Sequence, residues 1–225
     1  MRLIFLGDSL TAGGYGGDFV REVARLLPGH AVINAGVGGN TVINLLNRLD
    51  AVLDSEPDGV FVMTGGNDAI SYSQPETHSY YRLTGGAPDG WMTPDLFARS
   101  YRELLTRLQL RHIQTWVGLE STEYSAAFSA VLGQFNALAA AEARALNVPV
   151  LDLRAHFPAG TAAEHPPITE DSIALIGKRV RAGWSDYEGE RERGGFTWSF
   201  DGMHITPETA RQMAAIIVDF LDVAG

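Results

Sequence analysis

The chain has 225 residues, 45% hydrophobic and 20% charged, enough to bury a substantial core and within the range of a single domain, read as residues 1–225. Seventeen Lys and Arg against 27 Asp and Glu leave a net charge of -10, which argues against a grip on phosphate backbones and so against nucleic acid as a partner. Cysteine is absent, so disulfides, thiolate nucleophiles and Cys-ligated metals are excluded.

The apolar start, Leu3 to Leu6, is too short for a signal-peptide core and reads as a strand. No stretch approaches the roughly 20 apolar residues of a membrane span, so the expected location is the cytoplasm. The strand runs into Gly7-Asp8-Ser9-Leu10-Thr11, placing a serine hydroxyl before a glycine-rich turn and a helix. Taken alone, Asp8-Ser9 fits a turn or an N-cap better than a nucleophile. Phe19, Val23, Leu26 and Leu27 then recur at helical spacing.

A second apolar run, Ala31 to Ile33, leads into Asn34-Ala35-Gly36-Val37-Gly38-Gly39-Asn40-Thr41, whose glycines let the backbone approach a ligand. A dinucleotide loop would have Gly or Ala where Thr41 stands, so a nucleotide cofactor fits poorly. Val42, Leu45, Leu46, Leu49 and Leu53 mark one amphipathic helix. The third strand, Val60 to Met63, ends in Thr64-Gly65-Gly66-Asn67-Asp68, where the Asn67 amide could donate to a developing oxyanion.

Thr93-Pro94 reads as a cap and first-turn proline for a helix burying Phe97, Tyr101, Leu104, Leu105 and Leu108. Strand-like runs follow at Trp116 to Leu119 and Val148 to Leu151, separated by an Ala-rich helix from Phe128 to Leu146. The same start signal, Thr206-Pro207, opens a terminal helix. Five strands alternating with helices imply an α/β sandwich with its site beyond the carboxyl ends of the strands. Residues 69–92 and 155–199 fit neither period and read as long loops.

Just before the terminal helix, Asp201-Gly202-Met203-His204 has a spacing that lets a carboxylate hold imidazole Nδ1–H while Nε2 faces outward. Asp201, His204 and Asp68 could alternatively share a metal ion, but that ligand set falls short of what zinc needs.

Together, Gly7-Asp8-Ser9-Leu10, the Asn34 to Asn40 loop, Gly65-Gly66-Asn67-Asp68 and Asp201-x-x-His204 resemble, in order, the motif blocks of the SGNH (GDSL) hydrolase family. The resemblance implies a three-layer sandwich with a flavodoxin-like, five-stranded parallel sheet and helices on both faces. It also implies hydrolysis of carboxylic esters through an acyl-enzyme, with no metal and no cofactor. Ser9 would be the nucleophile, His204 the base and Asp201 its orienting acid. The Ser9 and Gly39 amides (Gly38 being the neighbouring possibility) and the Asn67 side chain would form the oxyanion hole.

Many members carry a proline-containing loop after the fourth strand, whereas this chain reads Gly118-Leu119-Glu120-Ser121-Thr122-Glu123. Two carboxylates there would repel anionic substrates. Asp8, Leu10, Trp91, Glu120, Trp198 and Met203 are the candidate substrate contacts. The aromatic residues of the two long loops, Tyr72, Tyr80, Tyr81 and Trp91 in one and Trp184, Tyr187, Phe196, Trp198 and Phe200 in the other, could cap the site. Expected substrates are small esters: short-chain, aryl or acetylated sugar. The alternatives are a carbohydrate O-deacetylase of the same mechanism and a non-catalytic binding module on the same fold.

Overall fold

The computed structural model describes residues 1–159 and 165–223; residues 160–164 of the second long stretch, and 224–225, lie outside the described residues. Strands β1 (Arg2–Gly7), β2 (Ala31–Gly36), β3 (Gly59–Met63), β4 (Gln114–Leu119) and β5 (Val150–Asp152) form one parallel sheet in the order β2-β1-β3-β4-β5. This is the flavodoxin-like order, whose ligand crevice opens at the carboxyl edge between β1 and β3, where consecutive connections leave in opposite directions. Strand β5 starts two residues later than the apolar run suggests: Val148 is buried, but its amide bonds to the Ala143 carbonyl in the turn after the preceding helix.

Side chains alternate along each strand, so β1 buries Ile4 and Leu6 on one face and Leu3 and Phe5 on the other. On the first face pack α3 (Val42–Asn47), α4 (Leu49–Leu53), α5 (Gly66–Ser73), α7 (Pro94–Leu110) and α8 (Ala126–Ala145). On the second pack α2 (Phe19–Leu26) and α11 (Pro207–Leu221). All five apolar positions expected of α7 are fully buried, and Thr93 Oγ1 caps the helix by accepting from Leu96 N–H at 3.1 Å. Leu26, expected on the inner face of α2, is 50% exposed, and Val20 is buried in its place because the helix turns that side toward α11. The single helix expected from Val42 to Leu53 is broken at Arg48 into α3 and α4.

The two stretches read as loops are helical. The first contains α5, a 3-10 turn at Pro75–Thr77 and α6 (His78–Leu83); the second contains α9 (Glu170–Arg181) and α10 (Tyr187–Gly194). Their helicity comes from ends and charge pairs rather than from a long apolar stripe. Thr169 and Ser172 make a reciprocal capping box on α9, and Arg193 pairs with both Asp186 and Glu190 at 2.9 Å along α10. Neither α9 nor α10 buries a residue fully; α10 has no apolar row, whereas α9 has one at Ile173, Ile176 and Val180 that a reading as loop passes over. Among the described residues no helix is long and apolar enough to cross a membrane.

Candidate active site

The turn after β1 is permitted by a missing side chain: a Cβ on Gly7 would lie 2.4 Å from the Met63 carbonyl oxygen of neighbouring β3. The chain therefore passes directly from the sheet into the short helix α1 (Ser9–Ala12), capped by Asp8, whose Oδ1 accepts from Leu10 N–H at 3.0 Å. Ser9 is the first residue of that helix, so its N–H has no acceptor within the helix.

The loop after β2 folds back against this turn. Gly39 takes a left-handed φ of 78°, and Gly38 lies against Ser9, a Cβ there being 3.9 Å from the Ser9 Cβ. Arg48, at the break between α3 and α4, staples the loop by donating to Asn40 Oδ1 and to the Gly7 carbonyl, both at 2.9 Å. Asp68 is fully buried and accepts from Val42 N–H, tying this loop to α5; burial pushes its carboxyl up to about 8 despite that hydrogen bond.

Asn67 sits in the first turn of α5 with both ends of its amide held. Nδ2 donates to Asp8 Oδ2 at 3.0 Å, and Oδ1 accepts from the Tyr81 hydroxyl at 2.9 Å. One Nδ2 hydrogen thus remains uncommitted in a side chain that lines the cavity. Tyr81 comes from α6, inside the stretch read as a loop, and no local pattern links it to Asn67.

Across the cleft, His204 Nε2 lies 3.1 Å from Ser9 Oγ, and His204 Nδ1 lies 2.8 Å from Asp201 Oδ2. Asp201 Oδ1 accepts from the Met203 and His204 amides at 3.0 and 2.7 Å, so the carboxylate is fixed before it holds the ring. Burial disfavours the His204 imidazolium, but the Asp201 charge, its hydrogen bond and the Asp8 charge outweigh that and raise His204 above its usual 6.5. Burial pushes Asp201 up, yet the imidazolium and the hydrogen bonds hold it below the usual carboxylate range.

The loop carrying this pair is anchored by the segment after β4. Glu123 is buried away from the cleft, where its carboxylate accepts from Thr197, Trp198 and Ser199 N–H and from Ser199 Oγ at 2.7–3.1 Å. The Glu123 amide and Thr122 Oγ1 both donate to the Gly202 carbonyl at 2.8 Å. The expectation of two carboxylates at the cleft is therefore corrected: only Glu120 lies there, because four donors draw Glu123 to the other side.

Above Ser9 opens a cavity of about 620 Å³, bordered by Asp8, Ser9, Gly39, Asn67, Glu120 and His204. Leu10 and Met203 also line it. The farther walls join an aliphatic group, Ile70 from α5, Leu132 beside Phe128 from α8, buried Ile168, and Ile173 and Ile176 from α9, to the charged Glu170, Asp171, Lys178 and Arg181 of α9. Of the aromatic residues in the two long stretches, only Tyr80 and Tyr81 reach it. Trp91 stacks on Tyr72 at 6.3 Å, and Trp198 packs on Phe157 at 5.8 Å while donating to the Pro158 carbonyl; neither candidate contact touches the cavity. Trp184, Tyr187 and Phe200 cluster instead around Tyr15, whose ring meets His204 edge-on at 5.1 Å, because rings bury more area against one another than in an open cleft. Among the described residues no three His, Asp or Glu side chains converge as metal ligands do.

Residues 5–174 match the sequence model of the GDSL-like lipase/acylhydrolase family. The chain belongs to that family. It is accordingly an ester-hydrolysing enzyme, and its nearer solved structures share the family's fold. The acetyl xylan esterase AlAXEase superimposes with a TM-score of 0.66 at 19% identity, covering 97% of this chain and 98% of the other. A lipase/acylhydrolase from Enterococcus faecalis gives 0.64 at 20% identity over 97% and 93% of the two chains. A tryptophan-to-isoleucine variant of an acetyl xylan esterase from Geobacillus stearothermophilus gives 0.65 at 16% identity over 98% and 94%. No curated protein matches this GDSL enzyme by sequence.

Proposed function

We propose that the enzyme hydrolyses carboxylic esters through an acyl-enzyme on Ser9. The supporting observation is the chain of contacts from Ser9 Oγ to His204 Nε2 at 3.1 Å and from His204 Nδ1 to Asp201 Oδ2 at 2.8 Å. His204 takes the hydroxyl proton as Ser9 attacks the ester carbonyl, and Asp201 holds the ring in the tautomer whose Nε2 can accept it. The oxyanion is met by the Ser9 and Gly39 amides and by the free Asn67 Nδ2 hydrogen. Protonated His204 then releases the alcohol, and water repeats the sequence to free the acid. In the second half His204 takes a proton from the water and passes it to Ser9 Oγ as the acid leaves, so the site returns to its starting protonation state.

Because His204 must be neutral to accept the proton and its imidazolium is favoured by Asp201, kcat/KM should rise with pH through a midpoint above 6.5. Below that midpoint the ring is already protonated and turnover falls. A pH–rate profile in which kcat/KM is already flat at and below pH 6 contradicts this role.

For the acyl group, the apolar part of the wall, from Ile70, Leu132, Ile168, Ile173 and Ile176, favours simple acyl and aryl esters, while Glu170, Asp171, Lys178 and Arg181 are the lining groups that would pair the hydroxyls of an acetylated sugar. The competing reading, sugar O-deacetylation, draws on the named activity of the structural relatives. The two separate on a panel of p-nitrophenyl esters beside acetylated xylo-oligosaccharide. Each methylene buried in the cavity contributes up to about 0.8 kcal/mol, so kcat/KM should climb up to about fourfold per carbon from acetate until the pocket is filled. Faster cleavage of the acetylated oligosaccharide than of any simple ester would transfer the assignment to the deacetylase reading.

A further inference from the structure

Behind the oxyanion side of the cleft lie two carboxyls that the reaction above does not use. Glu120, after the end of β4, and Asp8, after the end of β1, are 3% and 2% exposed, and their carboxyls converge on Gly66, where a Cβ would lie 2.5 Å from Glu120 Oε2 and 4.0 Å from Asp8 Oδ2. They are not equally supplied with donors. Asp8 accepts from Leu10 N–H at Oδ1 and from Asn67 Nδ2 at Oδ2, and it feels the charges of His204 and Arg48. Glu120 accepts only from Gly66 N–H, at Oε2 and 2.8 Å, and its buried Oε1 has no partner among the described residues.

A buried carboxylate with one donor for two oxygens is costly, whereas a carboxylic acid in the same place can give its own proton to a neighbour. We propose that Glu120 is a positioning residue that works as a neutral acid, donating its carboxyl proton to Asp8 so that the Asp8 carboxylate holds Asn67 in the oxyanion hole. The inference rests on the role given to Asn67 in the ester-hydrolysis reading. It also replaces the expectation of a charged Glu120 that repels anionic substrates.

The other groups around Glu120 agree with a neutral state. Asp8 from the β1 turn and Asp68 from α5 are acidic, Tyr101 from α7 presents a buried hydroxyl without a partner, and Asn136 from α8 donates to the Glu120 carbonyl, not to its carboxyl. Arg48 and His204 face Asp8, not Glu120, and Tyr81 from α6 is committed to Asn67. Burial, with the Asp8 charge added, pushes Glu120 well above the usual carboxylate range.

Raising the pH eventually removes the Glu120 proton and sets two buried negative charges face to face, loosening the hold on Asn67. Wild-type kcat should therefore fall on the alkaline side. Glu120→Gln keeps the acceptor for Gly66 and an N–H donor for Asp8 without a titrating proton, so it should stay within a few-fold of wild type at neutral pH and lose the alkaline fall. Glu120→Leu removes the donor and should lower kcat roughly 10- to 100-fold with little change in KM.

In an Asn67→Ala background, Glu120→Leu should cost nothing further, since it acts through Asn67. The proposal is overturned by a Glu120→Gln profile that falls with wild type, by a Gln variant as poor as Leu, or by additive losses in the double variant. If Glu120→Leu does not fold, the isosteric Gln profile still decides. Ser9→Ala run alongside separates the two ideas: turnover in that variant removes the Ser9 mechanism itself, whereas an inactive Ser9→Ala with an unshifted Gln profile removes only the role of Glu120.

Discussion

Ser9→Ala should reduce ester turnover by about six orders of magnitude, to the background left by binding and the oxyanion donors alone. The Ser9 hydroxyl has His204 Nε2 as its one side-chain partner, and both residues line the open cavity, so a methyl group in its place strands only one nitrogen, at the cavity wall. The α1 cap comes from Asp8 and not from Ser9, so stability should move by no more than about 1 kcal/mol, the worth of one hydrogen bond. A fluorophosphonate probe that labels the wild type should leave this variant unlabelled. Turnover within a hundredfold of wild type, with the fold intact by calorimetry, would remove Ser9 as nucleophile.

Asp201→Asn should cost about four orders of magnitude in kcat for a different reason. An Asn side chain can keep its Oδ1 on the Met203 and His204 amides, so the loop geometry survives. Its NH2 then occupies the position of Asp201 Oδ2 and donates to His204 Nδ1, where the carboxylate accepted. The ring is driven to the tautomer with its proton on Nε2, facing a Ser9 hydroxyl it can no longer deprotonate. The same change removes the main charge that raises His204, so the acid limb of whatever activity remains should shift down in pH. Asp201→Ala is the contrast: it strands two loop amides and should lose roughly 1–3 kcal/mol of stability as well as activity. An Asn variant within tenfold of wild type would show that the carboxylate does not set the tautomer.

The motif blocks are legible in sequence because each is a local device. A strand ending in glycine, a capping Asp one residue before Ser9, and an Asp201-x-x-His204 spacing that closes on itself within four residues all act through near neighbours. Helix α7 is equally legible, since a Thr93-Pro94 start and an apolar stripe specify both its beginning and its inner face. Helix α10 is not, because ion pairs carry it and no apolar period marks it; α9 has an apolar row at Ile173, Ile176 and Val180, but the charged residues around that row mask it.

The expected aromatic roof fails for a related reason. Sequence shows how many rings a segment holds, but their packing on Tyr15, Phe157 or one another depends on partners far along the chain. The cavity walls instead join aliphatic and charged side chains from α5, α8 and α9, elements spread over more than a hundred residues of the chain.

From the sequence by itself came the strands, the four loops at their carboxyl ends and the identities of Ser9, Gly39, Asn67, Asp201 and His204 as the residues to examine. Tertiary structure alone decided what stands behind them: Tyr81 and Asp8 on the Asn67 amide, Arg48 on the glycine loop, Glu123 under the His204 loop and Glu120 against Asp8. Hydrophobic period and capping act over a few residues and can be read along the chain. The partner of a buried polar group is chosen by which strand ends the β2-β1-β3-β4-β5 order brings side by side, and by how many donors the burial there leaves for each carboxyl.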